Sequence, residues 1–493
     1  MKFISTRGND SALSAGHAIA KGLASDGGLF VPEYFPQVTI TELEEMLNCS
    51  YAERATKVLK KFLTEYDEKE LLSACEKAYS KFEDSDPAPI VKTDENFYIM
   101  ELFHGPTLAF KDVALTLLPY LLREGCNQSG IKEEILVLVA TSGDTGKAAL
   151  EGFKNQPGVK IMVFFPSEGV SDMQKAQMTT QDGDNVNVVA VKGNFDDCQT
   201  AVKRIFSSKE INLELLNKSV KLSSANSINF GRLAPQITYY FSAYLDMCES
   251  GEINMGDKIN FVVPTGNFGN ILAGYYAKRM GLPIEKLVCA SNSNNVLTEF
   301  FASGDYDINR EFFKTMSPSM DILISSNLER LVFELSNRDC AITKARMDQL
   351  KQSGKYSIDE AGLEKLNEEF YADFCDEEDC LNEISDFFEE YGYVLDPHTA
   401  VAVSVANNFK RYTGDELPTV VLSTASPYKF TQSVLKAIGG KVEKDAFLCA
   451  EKLYSLTAMP VPEQIRSLKG KERRFNKVIE RNETEKAVLE FVK

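Results

Sequence analysis

Apolar residues arrive along this chain in short, nearly unbroken runs, each closing on a turn of small and polar residues. The runs at 135–140, 161–165, 186–191, 259–263, 287–290 and 420–423 are rich in Val, Ile and Leu. That pattern predicts strands buried on both faces. Helical periods follow two of the turns, at 147–153 behind 141–146 and at 271–280 behind 264–270. Strand, glycine turn and helix in repeating order predict a parallel α/β sheet, in which ligands gather at the carboxyl ends of the strands. The first 80 residues are helix-rich with a turn-laden stretch at 22–32, so 1–80 is expected to form an N-terminal lobe. Residues 81–493 would then hold two α/β subdomains, with the polar segment 249–258 linking them and 413–418 looping before a late strand. Between 360 and 390 acids are dense while Leu366, Phe370 and Phe374 recur every fourth residue. This spacing predicts one amphipathic helix with a solvated acidic face. Beyond about residue 430 the sequence is uninformative.

Length and charge narrow the picture. At 493 residues the chain exceeds what one core supports, and its 44% hydrophobic and 26% charged residues are ordinary for globular protein. The longest apolar runs, 114–118 and 135–140, fall well short of the ~20 residues of a membrane span, and Met1-Lys2-Phe3-Ile4-Ser5-Thr6-Arg7 turns polar at once. A soluble, cytoplasmic protein is expected. Seventy-two acids against 54 bases give a formal charge of −18, a field that repels nucleic acid and anionic membrane. Any anionic ligand must be held by local donors. Ten cysteines lie singly, without a Cys-x-x-Cys pair, and His17, His104 and His398 are dispersed. Reduced thiols and no metal site are expected, with Cys375 and Cys380 inside the acidic helix.

Three places carry chemistry. Lys111 follows a Gly-Pro turn and sits between Phe110 and an apolar run; near a buried surface, desolvation favours its neutral amine, which can condense with an aldehyde. Alone, it reads rather as a surface lysine in the first turn of a helix, and it is the neighbouring segments that favour the chemical reading. Pro264-Thr-Gly-Asn-Phe-Gly-Asn270 joins a strand to a helix, so converging backbone N–H groups and the helix start can hold a phosphate monoester. It is neither a Walker loop nor a good dinucleotide fingerprint, and a plain tight turn is the alternative. Thr141-Ser-Gly-Asp-Thr-Gly146 offers hydroxyls and donors to a small anion, while Asp144 reads equally as a helix cap.

These segments, taken together, resemble threonine synthase. His104-Gly-Pro-Thr-Leu-Ala-Phe-Lys-Asp112, Ser142-Gly-Asp-Thr-Gly146, Ser224-Ala-Asn-Ser-Ile-Asn-Phe-Gly-Arg232, Gly266-Asn-Phe-Gly-Asn270 and Ser423-Thr-Ala-Ser426 stand in that family's order. Ser5-Thr-Arg-Gly8 and the stretch 22–32 extend the likeness over roughly 1–430, to the branch with a long N-terminal lobe. The resemblance implies a fold type II pyridoxal phosphate enzyme of the tryptophan-synthase-β-like class, with the cofactor between its two α/β subdomains. Lys111 would carry pyridoxal 5'-phosphate covalently and shuttle protons. Gly266, Asn267, Phe268, Gly269 and Asn270 would cradle the cofactor phosphate, and Thr424 would face its ring nitrogen. Ser142, Asp144 and Thr145 would lie near the substrate, with Asn226, Ser227, Asn229 and Arg232 holding its anions. The implied reaction turns O-phospho-L-homoserine and water into L-threonine and phosphate. One departure stands out: Ser426 and Tyr428 occupy positions where the family motif carries histidine and alanine, which bears on substrate fit at that turn. A phospho-lyase releasing 2-oxobutyrate, a serine or threonine dehydratase, and a non-catalytic binder of a phosphorylated metabolite are the rivals. Oligomeric state is not legible.

Overall fold

The structure, a computed structural model, describes every residue except Ser142, Gly169 and Lys493, with backbone alone for Phe195 and Asp196. Two sheets dominate it. One has six strands in the order Phe370–Phe374, Ile284–Ser291, Ile259–Pro264, Thr419–Ser423, Phe97–Glu101 and Ile90–Asp94. All neighbours are parallel but the last pair. The other runs Val478–Ile479, Val186–Val191, Val159–Pro166, Glu134–Ala140 and Val220–Ser224, parallel throughout. Every strand read from the unbroken apolar runs is present, because such runs bury both faces: Ile259–Pro264 and Thr419–Ser423 are buried at each position.

One element differs from expectation. The single helix expected over 360–390 is two, Glu360–Glu369 and Glu377–Tyr391, separated by the strand Phe370–Phe374. Spacing by four suits a strand as well as a helix, since both periods return positions 370 and 374 to one face. Tertiary pairing decides: Leu287 aligns with Phe370 and Ser291 with Phe374, while Phe370 is buried against Tyr275 and Phe268.

Residues 1–80 form a three-stranded antiparallel sheet, Leu13–Ser14, Lys2–Ser5 and Phe30–Pro32, with four helices. Two of these, Ile40–Glu44 and Tyr51–Lys60, start on reciprocal capping boxes, Thr39 with Glu42 and Ser50 with Glu53. The helix Ala15–Lys21 lies against Leu118–Gln128 so closely that a Cβ on Gly125 would sit 2.5 Å from the Gly16 carbonyl oxygen. Helix Phe230–Glu249, buried almost throughout, leads from one sheet to the other. The segment beyond 430 crosses back, adding Val478–Ile479 beside Val186–Val191. No helix among the described residues is long and apolar enough to cross a membrane.

Candidate active site

Both sheets direct the carboxyl ends of their central strands into one cavity of about 810 Å³, the volume a cofactor with its substrate requires. Its lysine is delivered by a folded elbow. Gly105 has no Cβ because one would collide with Asp112 at 2.6 Å. Asp112 accepts both the Thr107 N–H and hydroxyl, at 2.8 and 2.6 Å. Phe110 N donates to the Thr424 carbonyl and Ser426 N to that of Leu108. Lys111 then opens the helix Lys111–Leu115 with its side chain on the cavity. Its Nζ donates to Ser319 Oγ at 3.2 Å and lies 3.8 Å from Asp144 Oδ2. Burial lowers this amine to about 8, helped by Arg232 and Lys429 and opposed by Asp144 and Asp112. Desolvation thus exceeds the attraction of the nearest carboxylate, and a neutral nucleophilic amine is available near physiological pH.

The glycine loop follows Ile259–Pro264. Gly266 is required by its neighbours, since a Cβ there would lie 2.8 Å from the Ser319 carbonyl oxygen and 3.1 Å from Met320 Cα. Phe268 takes a left-handed conformation, φ 62°, and the helix Gly269–Arg279 begins directly after it. Gly266, Asn267, Phe268, Gly269 and Asn270 all line the cavity, as does Thr424. Asn270 Oδ1 accepts from the hydroxyls of Tyr239 and Tyr240 at 2.5 and 2.9 Å. Its Nδ2 is buried without a partner among the described residues.

On the second loop, Asp144 and Thr145 line the cavity; Ser142 lies outside the described residues. Helix Asp144–Phe153 starts earlier than its periodicity predicts, and Asp144 does not cap it. Its Oδ1 meets Lys429 Nζ at 2.7 Å and Gln174 Nε2 at 2.7 Å. Burial alone would raise this carboxyl, but the charges of Lys429 and Lys111 hold it well below the usual carboxylate range. Opposite, Asn226, Ser227 and Arg232 line the wall. Arg232 Nη1 donates to the Ala225 carbonyl at 2.7 Å, and its Nε lacks a partner among the described residues. Burial lowers the guanidinium to about 10, still a cation at neutral pH. Asn229 is not on the cavity. Its Oδ1 caps the helix Phe230–Glu249 through Gly231 N, and its Nδ2 donates to the carbonyls of Ile19 and Ser224. Both ends of the amide are therefore committed to structure.

Several residues here carry no motif of their own. Ser319 bridges Lys111 and the 317–321 turn, whose backbone N–H donates to His398 Nε2 at 3.2 Å while His398 Nδ1 bonds Asp396 at 2.7 Å. Buried Arg330 donates to the carbonyls of Phe30, Ser227 and Ile228 and to Asn327 Oδ1. Asn327 in turn holds Ser227 Oγ and the Asn267 carbonyl. Only the apolar flank of Asn327 to Leu335 signals this from sequence, as an ordinary helix. Ser426 and Tyr428, the departures from the motif, do not line the cavity. Ser426 Oγ accepts from Tyr428 N, and the Tyr428 hydroxyl donates to the Met459 carbonyl at 2.5 Å.

A phosphorylated aldehyde cofactor fits this chemistry: a desolvated amine, a loop in which side chains are excluded at Gly266, and two orphaned buried donors, Arg232 Nε and Asn270 Nδ2, that need an acceptor. A family model described as pyridoxal-phosphate dependent enzyme matches residues 86–425. Flanking models described as threonine synthase N terminus and threonine synthase, C-terminal, match 2–79 and 399–492. The threonine synthase of Pseudomonas aeruginosa is 40% identical over 441 residues, covering 89% of this chain and 90% of that one. The chain belongs to the threonine synthase family. Its cofactor is pyridoxal phosphate and its fold that of the fold type II enzymes. Threonine synthase-like 1 of Homo sapiens is 42% identical over 461 residues, 90% of this chain and 60% of that protein. This chain spans 60 to 63% of the length of four relatives so named. The pyridoxal-phosphate-bound threonine synthase of Brucella melitensis superposes with a TM-score of 0.87 at 40% identity, covering 100% of this chain and 98% of that one. Family membership thus extends past residue 430, where the sequence motifs end.

Proposed function

We propose that the chain converts O-phospho-L-homoserine and water into L-threonine and phosphate. One observation carries the reading: a desolvated amine at Lys111 shares a single cavity with a glycine loop and a buried arginine. When bound, pyridoxal phosphate supplies an electron sink for the substrate's amine-bearing carbon. The backbone N–H groups of 266–270 and the start of helix Gly269–Arg279 hold the cofactor's phosphate, with the Asn270 amide as a further donor. Thr424, which lines the same cavity, would offer its hydroxyl to the ring nitrogen. Lys111 binds the cofactor through its amine and, once released, takes the proton from the α-carbon and serves the β-carbon. Ser319 accepts a hydrogen bond from the Lys111 amine at 3.2 Å and Asp144 faces it at 3.8 Å, so the two orient that amine between these transfers. Arg232, with Asn226 and Ser227, binds substrate anions; a buried guanidinium gives the strongest hydrogen bonds available to phosphate or carboxylate. Thr145 completes the substrate wall; Ser142, proposed for the same wall from the resemblance, lies outside the described residues.

Every cavity-lining residue falls after position 80, so 81–493 is taken as the catalytic region and 1–80 as a supporting lobe. With ten cysteines left as thiols, a reducing, cytoplasmic location fits. The deciding assay incubates the holoenzyme with O-phospho-L-homoserine and follows products: threonine and phosphate in equal amounts are expected. A keto acid without threonine would replace this reading with the phospho-lyase one, and no turnover with the cofactor bound would favour a binding protein.

A further inference from the structure

Asp144 faces two lysines, one at each carboxylate oxygen, and one of them does not line the cavity. Lys429 is fully buried, its side chain 0% exposed beside an Asp144 side chain at 2%. It sits at the end of the turn Pro427–Lys429, which is pinned by Ser426 and by the Tyr428 hydroxyl on Met459. Its Nζ is held by two acceptors, Asp144 Oδ1 at 2.7 Å and the Thr107 carbonyl at 2.9 Å. The second carboxylate oxygen is left for the cavity, 3.8 Å from Lys111 Nζ and 3.4 Å from Ser319 Oγ.

We propose that Lys429 is a positioning residue which neutralises and orients Asp144, so that Lys111 can give up its proton inside the cavity. The inference rests on Lys111 being the amine that holds the cofactor. Its reasoning is electrostatic. With Lys111 as its sole cation, a buried Asp144 would clamp that amine as an ammonium, because an opposite charge at such a distance favours the charged form. Lys429 supplies the compensating charge from behind. Asp144 therefore remains a carboxylate facing Lys111 at 3.8 Å without holding its proton. The other groups facing Lys111 do not substitute: Arg232 on helix Phe230–Glu249 is a cation on the far wall, Asp112 is bound to Thr107, and the Ser319 hydroxyl is neutral. A buried ion pair is weak support for stability, so a pair placed against a reactive amine is better explained by what it does to that amine. In the same geometry Ser426 and Tyr428 do not line the cavity, and the turn they build delivers Lys429.

The test uses cofactor-free protein. The rate at which it captures pyridoxal phosphate, trapped by borohydride, is measured from pH 6 to 10, and the midpoint of the rise reports the Lys111 amine. Lys429→Met should move the midpoint upward by about one unit or more. Asp144→Asn should move it downward, and the double variant should return close to wild type, a sign pattern that mere loosening of the site cannot produce. Lys429→Gln, which keeps a donor without charge, should behave as Lys429→Met and replaces it if that variant does not fold. An unchanged midpoint in the folded Lys429 variants overturns the proposal while leaving the function of Lys111 standing. Absence of capture at Lys111 in the wild type removes both.

Discussion

The most consequential atoms lie within one side chain's reach of Lys111. Lys111→Ala should give a folded protein that traps no cofactor under borohydride and loses roughly a thousandfold or more in turnover, since amine and proton carrier vanish together. Retained turnover would remove the mechanism. The depressed amine, near 8 against its ordinary 10.5, also has a sign in stability. Between those values the unfolded chain holds a proton that the native chain lacks, so this group makes the cofactor-free protein more stable as pH rises through that window. Thermal melts of wild type and Lys111→Met at pH 8 and 10 should show the gain in the former alone. Arg232→Met should lower kcat/KM about tenfold to a hundredfold, the worth of a charge-assisted bond of ~1.5–3 kcal/mol. Its melting temperature should change little, because the same change removes a desolvated cation with an unpaired Nε. Lys111 and Arg232 were legible because each sits in a long motif. Lys429 follows directly on Tyr428 in the late stretch, but which oxygen a lysine reaches depends on a partner 285 positions away, and no local pattern encodes that.

At the scale of elements, the glycine loops were readable and the end of one helix was not. Strand, turn and helix around 264–270 follow from apolar runs and glycine, both local. That Gly266 must lack a side chain follows instead from the 317–321 turn above it, which no sequence pattern revealed. Gly266→Ala should weaken pyridoxal phosphate binding at least tenfold by fluorescence titration while leaving the circular dichroism unchanged; unaltered affinity would show that the turn yields. Asn229 illustrates the opposite case, a motif asparagine whose geometry serves the helix Phe230–Glu249. Asn229→Ala should cost about 1–2 kcal/mol in urea unfolding through loss of the cap, with KM within a factor of two. A large rise in KM at unchanged stability would return the residue to the substrate site. The strand at 370–374 escaped because phenylalanines four apart satisfy two periods at once, and only pairing with Ile284–Ser291 separates them.

Across the whole molecule, the alternation of runs and turns announced a parallel α/β sheet, whereas the return of the final sixty residues to the five-stranded sheet could not be read from polar, irregular sequence. Ile479 and Val488 are buried there against the strands and helix of the five-stranded sheet. Removal of 473–493 should therefore lower the melting temperature and expose the edge of Val186–Val191 to aggregation, measurable by light scattering during heating. An unaltered melt would mean that the segment is ornament. Arg330 joins distant parts more tightly still. It grips the Phe30 carbonyl 300 positions back along the chain together with the backbone of the loop at 227–228. During synthesis, then, the early segments must wait for most of the polypeptide before their final anchor arrives. Cofactor colour becomes a late event in biogenesis, a natural signal that a newborn molecule has finished folding.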